Sequence, residues 1–402
     1  MTSRVRHQSY WNATGPAGSY PELAGDLEAD VAVIGGGIVG VTTARLLQDR
    51  GLKVALVEAR RIGEGVTGRS TAKITSQHSI AYTPIERKFG RDGAQAYAEA
   101  NEAGLRTIVE LTERHGIACD LERRPAFTYT RDKAHVRDIE QEAELARSLG
   151  LPASPTRDTG LPFDVLAAMR WDDQAQFHPV KYVKGLAATL PGDGCRLFER
   201  SRVVDWAGDR IATDGGSVRA RHVVMATHLP LGQTGLFYAE NYPHLHAVIM
   251  GRADPARVPD GMYISVESPR HSARGHRDED GRSWMIFTGP QFRHGHVGEE
   301  RDAFAEIERF ADEHFAVAPE YRWTNEDYRP MDHAPFVGRS SSAEGAVLVA
   351  TGFNAWGISA GTAAAMMLAD LIAGRENRWL DLFDARRIKP LAGAAEFAKG
   401  NV

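Results

Sequence analysis

Apolar and polar positions change period along the chain, and the changes predict its elements. Asp30 to Ile34, apolar after its first residue, reads as a strand. From Ile38 to Arg50 the positions Val41, Ala44 and Leu47 fall at helical spacing, and Lys53 to Val57 is a second apolar strand. Thr83 to His115 predicts a long helix, "CDLERRPAFTYTR" a strand, and "DKAHVRDIEQEAELARSLG" an exposed amphipathic helix. "FHPVKYVKGLAATL" predicts another helix, with Pro179 suited to its first turn. "CRLFERSRVVDWAGDRIATDGGSVRARHVVMAT" reads as short β segments parted by the turns "AGD" and "DGG", ending in an apolar strand at His222–Ala226. From Pro230 to Trp323 the pattern predicts strands carrying aromatics, with Arg and His between them. "AVLVATGFNAWGISAGTAAAMMLADLIAG" then reads as strand, glycine turn and helix.

These elements predict an α/β (α+β) fold in which a Rossmann-type nucleotide domain interleaves with an antiparallel-sheet substrate domain. The nucleotide domain is expected from residues 1–117, 175–228 and 330–402, and the substrate domain from 118–174 and 229–329. A hydrophobic content of 43% and a charged content of 25% are those of an ordinary globular chain. The net charge of −5 gives no reason to expect a nucleic-acid binder. Cys119 and Cys195 form neither a disulfide framework nor a metal pattern, so no metal site is expected. The start "MTSRVRHQSYWNATG" has no apolar signal core, and no apolar run is long enough to span a bilayer. A reducing, cytoplasmic setting is the expectation.

The chemistry begins at Gly35, Gly37 and Gly40, a GxGxxG between the first strand and the first helix. Gly35 permits the tight turn, Gly37 lets the backbone approach a pyrophosphate, and Gly40 lets the helix pack on the strand. The helix N-terminus offers N–H groups and its positive dipole end to phosphates. Glu58, 18 positions after Gly40, stands where a carboxylate accepts from ribose hydroxyls and repels a 2′-phosphate. NADP is disfavoured; the motif alone leaves NAD and FAD open. The following loop "RRIGEGVTGRSTAKITSQH" is rich in Gly, Ser and Thr, so its backbone can approach a ligand closely.

"DVAVIGGGIVGVTTARLLQDRGLKVALVEARRIGEGVTGRSTA" resembles the N-terminal signature of the D-amino-acid-oxidase or glycine-oxidase superfamily of FAD-dependent oxidoreductases. "FERSRVVDWAGDRIATDGGSVRARHVVMATHLP" and "DHAPFVGR…AVLVATGFNAWGISAGTAAAMMLADLI" resemble that family's central and C-terminal flavin segments. The likeness runs from about Ser9 to Pro390 and implies FAD, held non-covalently, and oxidation of a C–N bond of an amine or amino acid by hydride transfer to flavin N5. "TAKITSQH", "ATHLP", "GFNAWGISAGTAA" and "WLDLFDARRIKP" are similar to the flavin part of bacterial fusions that continue into a Rieske [2Fe–2S] domain, and gamma-glutamylputrescine oxidases are near relatives. Neither cysteine here fits a Rieske ligand set, so no cluster is expected on this chain: either the domain was lost or this is part of a longer protein, which leaves an iron–sulfur partner open.

By that resemblance Gly35, Gly37, Ile38, Val39 and Gly40 bind the pyrophosphate, and Glu58, Ala59 and Arg60 the adenosine end. Thr67, Gly68, Ser70, Thr71 and Ala72 wrap the flavin end; Val203, Val204, Ala226 and Thr227 belong to the central segment. Gly352, Trp356, Gly357, Ile358 and Ser359 belong to the tail, whose helix aims its N-terminus where reduced flavin carries negative charge. Lys73, His78 and Arg274 are the catalytic candidates: a cation or base beside the flavin, and an arginine to clamp a substrate carboxylate. Arg293 and His294 are further candidates in the substrate half. Relatives of the sarcosine-oxidase type activate oxygen with a lysine from the substrate domain, yet no lysine occurs between Lys184 and Lys389, so that lysine is missing unless Lys73 replaces it. That gap favours a dehydrogenase passing electrons to an iron–sulfur partner over a fast oxidase; an FAD-bound assembly subunit is a third reading.

Overall fold

The computed structural model describes residues 5–232, 234, 237–341 and 347–387. Two eight-stranded sheets carry the fold. In the first, Gly25–Ile34 lies between Gly216–Met225 and Val54–Val57, parallel to both, with Arg196–Phe198 outside Val54–Val57. Val347–Thr351 runs parallel to Gly216–Met225 on its other side. Val31 to Ile34 and Val54 to Val57 are all buried: Val31, Val33, Val54 and Leu56 pack with Val41, Leu47 and Leu368 of the helices, and Ala32, Ile34, Ala55 and Val57 pack on the other face with Phe198, Met225 and Phe336. The helices Ile38–Gln48 and Ser359–Ile372 pack together there through Val39 and Gly361, and a Cβ on Gly361 would already press on Val39.

The second sheet runs Tyr321–Pro330, Asn241–Arg252, Ser283–Phe292, Ser272–Arg277, Met262–Ser265, Ala126–Thr130, Ala167–Trp171, Ala153–Thr156. All its pairings are antiparallel except Met262–Ser265 with Ala126–Thr130. A small third sheet joins Lys73–Ile74, Ala175–Gln176 and Glu122–Arg123, so the loop after the nucleotide turn is hydrogen-bonded to chain that leads into the second sheet.

Three expectations change. The stretch expected to be strands throughout contains a 19-residue helix, Val297–Phe315. Ala303, Ile307, Phe310, Ala311 and Phe315 form its buried stripe, packed on Met285 and Phe287, so the period was helical beneath the aromatics. The strand expected in "CDLERRPAFTYTR" breaks at Pro125 into Glu122–Arg123 and Ala126–Thr130, since proline cannot donate to a ladder. The long helix Tyr82–Arg114 is interrupted at Gly90, where φ is 73°. Its start is held by Glu142, from the helix expected to be exposed and amphipathic: the buried carboxylate accepts from the N–H groups of Ala81, Tyr82 and Thr83. Among the described residues no helix is long and apolar enough to cross a membrane.

Candidate active site

Two joined cavities lie between the sheets, sharing Ser70, Asn325, Ala355 and Ile358. The first is a channel along the nucleotide turn. Gly35 has φ 109°, and a Cβ there would stand 2.5 Å from the Ala226 carbonyl oxygen. A Cβ on Gly40 would overlap the Gly35 oxygen, so helix and strand meet at backbone distance because Gly40 has no side chain. Gly37 differs: its missing Cβ would meet only the Thr67 hydroxyl, at 3.2 Å, so its backbone stays uncovered toward the channel. Glu58 borders the channel and accepts from Gly36 N–H at 2.7 Å and Arg60 N–H at 2.7 Å, which fixes its carboxylate beside the turn. Ile38, Val39, Ala59, Arg60, Thr67, Val203, Ala226, Thr227 and Gly357 complete much of the wall. This glycine cradle, with a fixed carboxylate at one end and a helix N-terminus at the other, fits an FAD laid along it.

Some expected cofactor residues stand elsewhere. Val204 is 57% exposed: the strand register shifts between Val203 and Asp205, and Val203 takes the channel side. Gly68 packs beneath Asn12 and the Gly63 carbonyl, where a side chain would not fit. Gly352 lies against Asn241 and Pro330, at φ 77°. Gly352 and Gly68 shape the walls from behind.

The second cavity holds Ser70, Thr71, Ala72, Lys73, His78, Trp356, Ile358 and Ser359, of which Ser70 and Ile358 also border the channel. Lys73 Nζ donates to the Tyr263 carbonyl at 2.8 Å and to Ser272 Oγ at 2.5 Å, so a residue of the flavin loop reaches the second sheet. Burial, with Arg274 adding to it, pulls its pKa down to about 7. His78 stacks on Trp356 with ring centroids 4.6 Å apart. Its Nδ1 lies 2.7 Å from the Tyr97 hydroxyl and its Nε2 2.9 Å from the Thr75 carbonyl, while burial lowers its pKa to about 3. His78 is therefore neutral, with both nitrogens engaged and its ring against Trp356.

Arg274 is a correction. It does not border the cavity; its guanidinium donates to the Thr71, Gly275 and Phe177 carbonyls and lies 5.1 Å from the Trp11 ring, fully buried. It ties the flavin loop to the second sheet. Arg293 is exposed and paired with Glu299, and His294 is exposed on the surface. The arginines that do border the cavity are Arg69, Arg270 and Arg329. With Lys73, His78, His246 and His333 they make a wall that contains no Asp or Glu among the described residues. Sequence reading missed these arginines because they come from separate loops and strands; only Arg329, directly before Pro330 in the segment leading to "DHAPFVGR", had a local cue.

Asp327 was also missed. It is buried in the channel and accepts from Ala355 N–H at 2.5 Å and from Tyr328 N–H at 2.7 Å. Burial raises its pKa. Asn354 and Ala355 have φ of 50° and 68°, strained for side chains. The Asp327 bond, an Asn354 N–H bond to the Tyr328 carbonyl, and Arg329 Nε donating to Asn354 Oδ1 at 2.9 Å hold that turn. The turn before the tail helix is thus clamped to the strand that carries Arg329.

A glycine-turn nucleotide channel opening into a cation-walled cavity between two sheets defines a dinucleotide-dependent oxidoreductase. The DAO family model, described as FAD dependent oxidoreductase, matches residues 30–371, and the chain belongs to that family. It is an FAD-dependent oxidoreductase of the amino-acid oxidase or dehydrogenase type. It is 30% identical over 385 residues to YhfW of Bacillus subtilis, named as a Rieske 2Fe-2S iron-sulfur protein; the match covers 94% of this chain and 75% of that one. It is 27% identical over 222 residues to the gamma-glutamylputrescine oxidoreductase of Escherichia coli, covering 53% of this chain and 52% of that one. The fold is that of glycine oxidase from Geobacillus kaustophilus, with TM-score 0.73, 20% identity, and 90% of this chain and 100% of that one covered. L-proline dehydrogenase from P. horikoshii has the same fold, with TM-score 0.71, 20% identity, and 91% and 98% covered.

Proposed function

We propose that this protein oxidises the C–N bond of an amino acid, with non-covalently held FAD as acceptor. The observation that carries the reading is the second cavity's wall: arginines, a lysine and histidines with no carboxylate among the described residues. Such a wall attracts a carboxylate and repels a polycation, so an amino acid suits it and a polyamine does not. FAD in the channel supplies the two-electron acceptor for the substrate's α-hydrogen. Arg329 has neutral partners only, Asn354 Oδ1 and Gln291 Oε1, and its remaining N–H groups are available to hold the substrate carboxylate beside the cofactor turn. Asn325 borders both cavities, and its buried Oδ1 has no partner; it suits an N–H of the substrate's amino group. Lys73, neutral above about pH 7, donates twice and keeps its lone pair, so Nζ takes the proton that the substrate ammonium must lose before a hydride can leave.

A second reading concerns the electron acceptor. The absence of lysine from 185 to 388, together with the likeness to YhfW, supports transfer to an iron–sulfur partner over rapid reaction with oxygen. The buried thiols of Cys119 and Cys195 suit a reducing, cytoplasmic setting. The test is direct. The purified protein should be yellow, release intact FAD on acid denaturation, and be bleached anaerobically by amino acids. Release of NAD, no nucleotide after reconstitution with FAD, or bleaching by polyamines alone would contradict the proposal.

A further inference from the structure

We infer that the substrate carries a second anionic group and that Arg270 receives it. The inference rests on the amino-acid reading above and narrows it to a dicarboxylic amino or imino acid. Arg329 is held at the cofactor turn by Asn354, where one clamp suffices for the α-carboxylate. Arg270, like Arg329, borders the substrate cavity and not the nucleotide channel. It lies in the segment between Met262–Ser265 and Ser272–Arg277, and it makes no hydrogen bond and no ion pair with the described protein. The nearby carboxylate, Glu267, forms no ion pair with it and instead accepts from the Arg131 N–H at 3.2 Å.

The surroundings sharpen the point. Burial and the neighbouring Arg329 both work against the charge of Arg270. A guanidinium without a partner in such a wall is costly, and an incoming anion removes the cost. Gln291 organises the same wall: its Oε1 accepts from Arg329, and its Nε2 faces His246 Nε2 at 3.5 Å. His246 is kept neutral by burial and by the two arginines, its pKa lowered to about 4, so it does not compensate for them. Thr288 turns its hydroxyl away to the Ala247 carbonyl. The wall therefore presents Arg270 as a cation with no hydrogen bond or ion pair from the described residues, in addition to the Arg329 clamp at the cofactor turn.

Binding of non-oxidisable acids to the FAD-loaded protein, measured by titration calorimetry, tests this. The probes are malonate, succinate and glutarate, each against the monocarboxylate of equal chain length. At least one dicarboxylate should bind about ten- to a hundredfold more tightly than its monocarboxylate, the scale of a charged hydrogen bond. Arg270→Gln should erase that advantage and leave monocarboxylate affinity within about twofold. Arg270→Lys, which keeps the charge, should retain part of it. FAD content of each variant shows that it has folded. Equal affinity for both classes in the wild type overturns the inference while leaving the amino-acid reading intact. An equal loss for both classes in Arg270→Gln also overturns it, because Arg270 and Arg329 would then share one carboxylate. Failure of every acid to bind, with bleaching by amines that lack a carboxylate, overturns the amino-acid reading itself.

Discussion

Lys73→Met removes the cavity's only amine among the described residues while keeping an unbranched, buried side chain. Burial lowers the Lys73 pKa from 10.5 to about 7. The charged form is the disfavoured one, so Nζ is neutral above that value and protonated below it. One pH unit above the pKa about 90% of a group is neutral, and one unit below about 10%, so kcat/KM should climb about tenfold per unit up to pH ~7 and then level. A rise toward higher pH from the substrate's own ammonium lies beyond that break. Losing a positioned base costs about 100- to 10,000-fold, and Lys73→Met should slow anaerobic flavin reduction on that scale and lose the break near 7. The same shift has a stability sign. Between about pH 7 and 10.5 the unfolded chain binds a proton that the folded one does not, so the wild type should gain stability relative to Lys73→Met as pH rises through that window. Stopped-flow reduction across pH is the assay. A variant that keeps both the rate and the break would refute the role of Lys73.

Other consequences are as specific. Glu58→Ala should weaken FAD binding by about 1–3 kcal/mol, the scale of a charged hydrogen bond, and Gly37→Val should do worse by filling the pyrophosphate approach; unchanged affinity in both, by fluorescence titration of apoprotein with FAD, places the cofactor elsewhere. Arg274→Met should lower stability by about 2–4 kcal/mol, since it leaves the Thr71, Gly275 and Phe177 carbonyls without their donor, yet leave KM of any fully loaded protein within about twofold; a large KM rise without loss of stability would restore Arg274 to the substrate site. Reduced enzyme should react slowly with dioxygen and faster with an artificial one-electron acceptor, and Lys73→Met should leave the oxygen reaction nearly unchanged; rapid reoxidation by air that the substitution abolishes would make the protein an oxidase.

What sequence could carry here was local. The turn at Gly35–Gly40 needs a tight bend, an uncovered backbone and close packing within a few residues, and each need fixes a residue type, so strand, turn and helix were all legible. Ser359–Ile372 was legible for the same reason. The substrate wall was not, because its meaning lies in which side a residue faces after distant strands assemble. Arg274 and Arg270 are four positions apart and equally plausible as letters, yet one is spent on three carbonyls beneath Trp11 and the other opens on the cavity. Val203 and Val204 are told apart by an irregularity in the strand register between Val203 and Asp205, which sequence did not supply. The helix Val297–Phe315 was legible in principle, through Ala303, Ile307 and Phe310, but the aromatic-rich strands on either side masked its period.

The central claim is that the cavity selects a carboxylate-bearing amine for oxidation by FAD. A matched pair tests it most directly: an amino acid and the amine left when its carboxylate is removed, each mixed anaerobically with the FAD-loaded protein while flavin absorbance is followed. The account predicts bleaching by the amino acid at least about a hundredfold faster at equal concentration, as expected when a buried arginine clamp is left without its anion, and it predicts that Arg329→Gln narrows the gap. Equal rates for the two members of the pair, or faster bleaching by the amine, would contradict it.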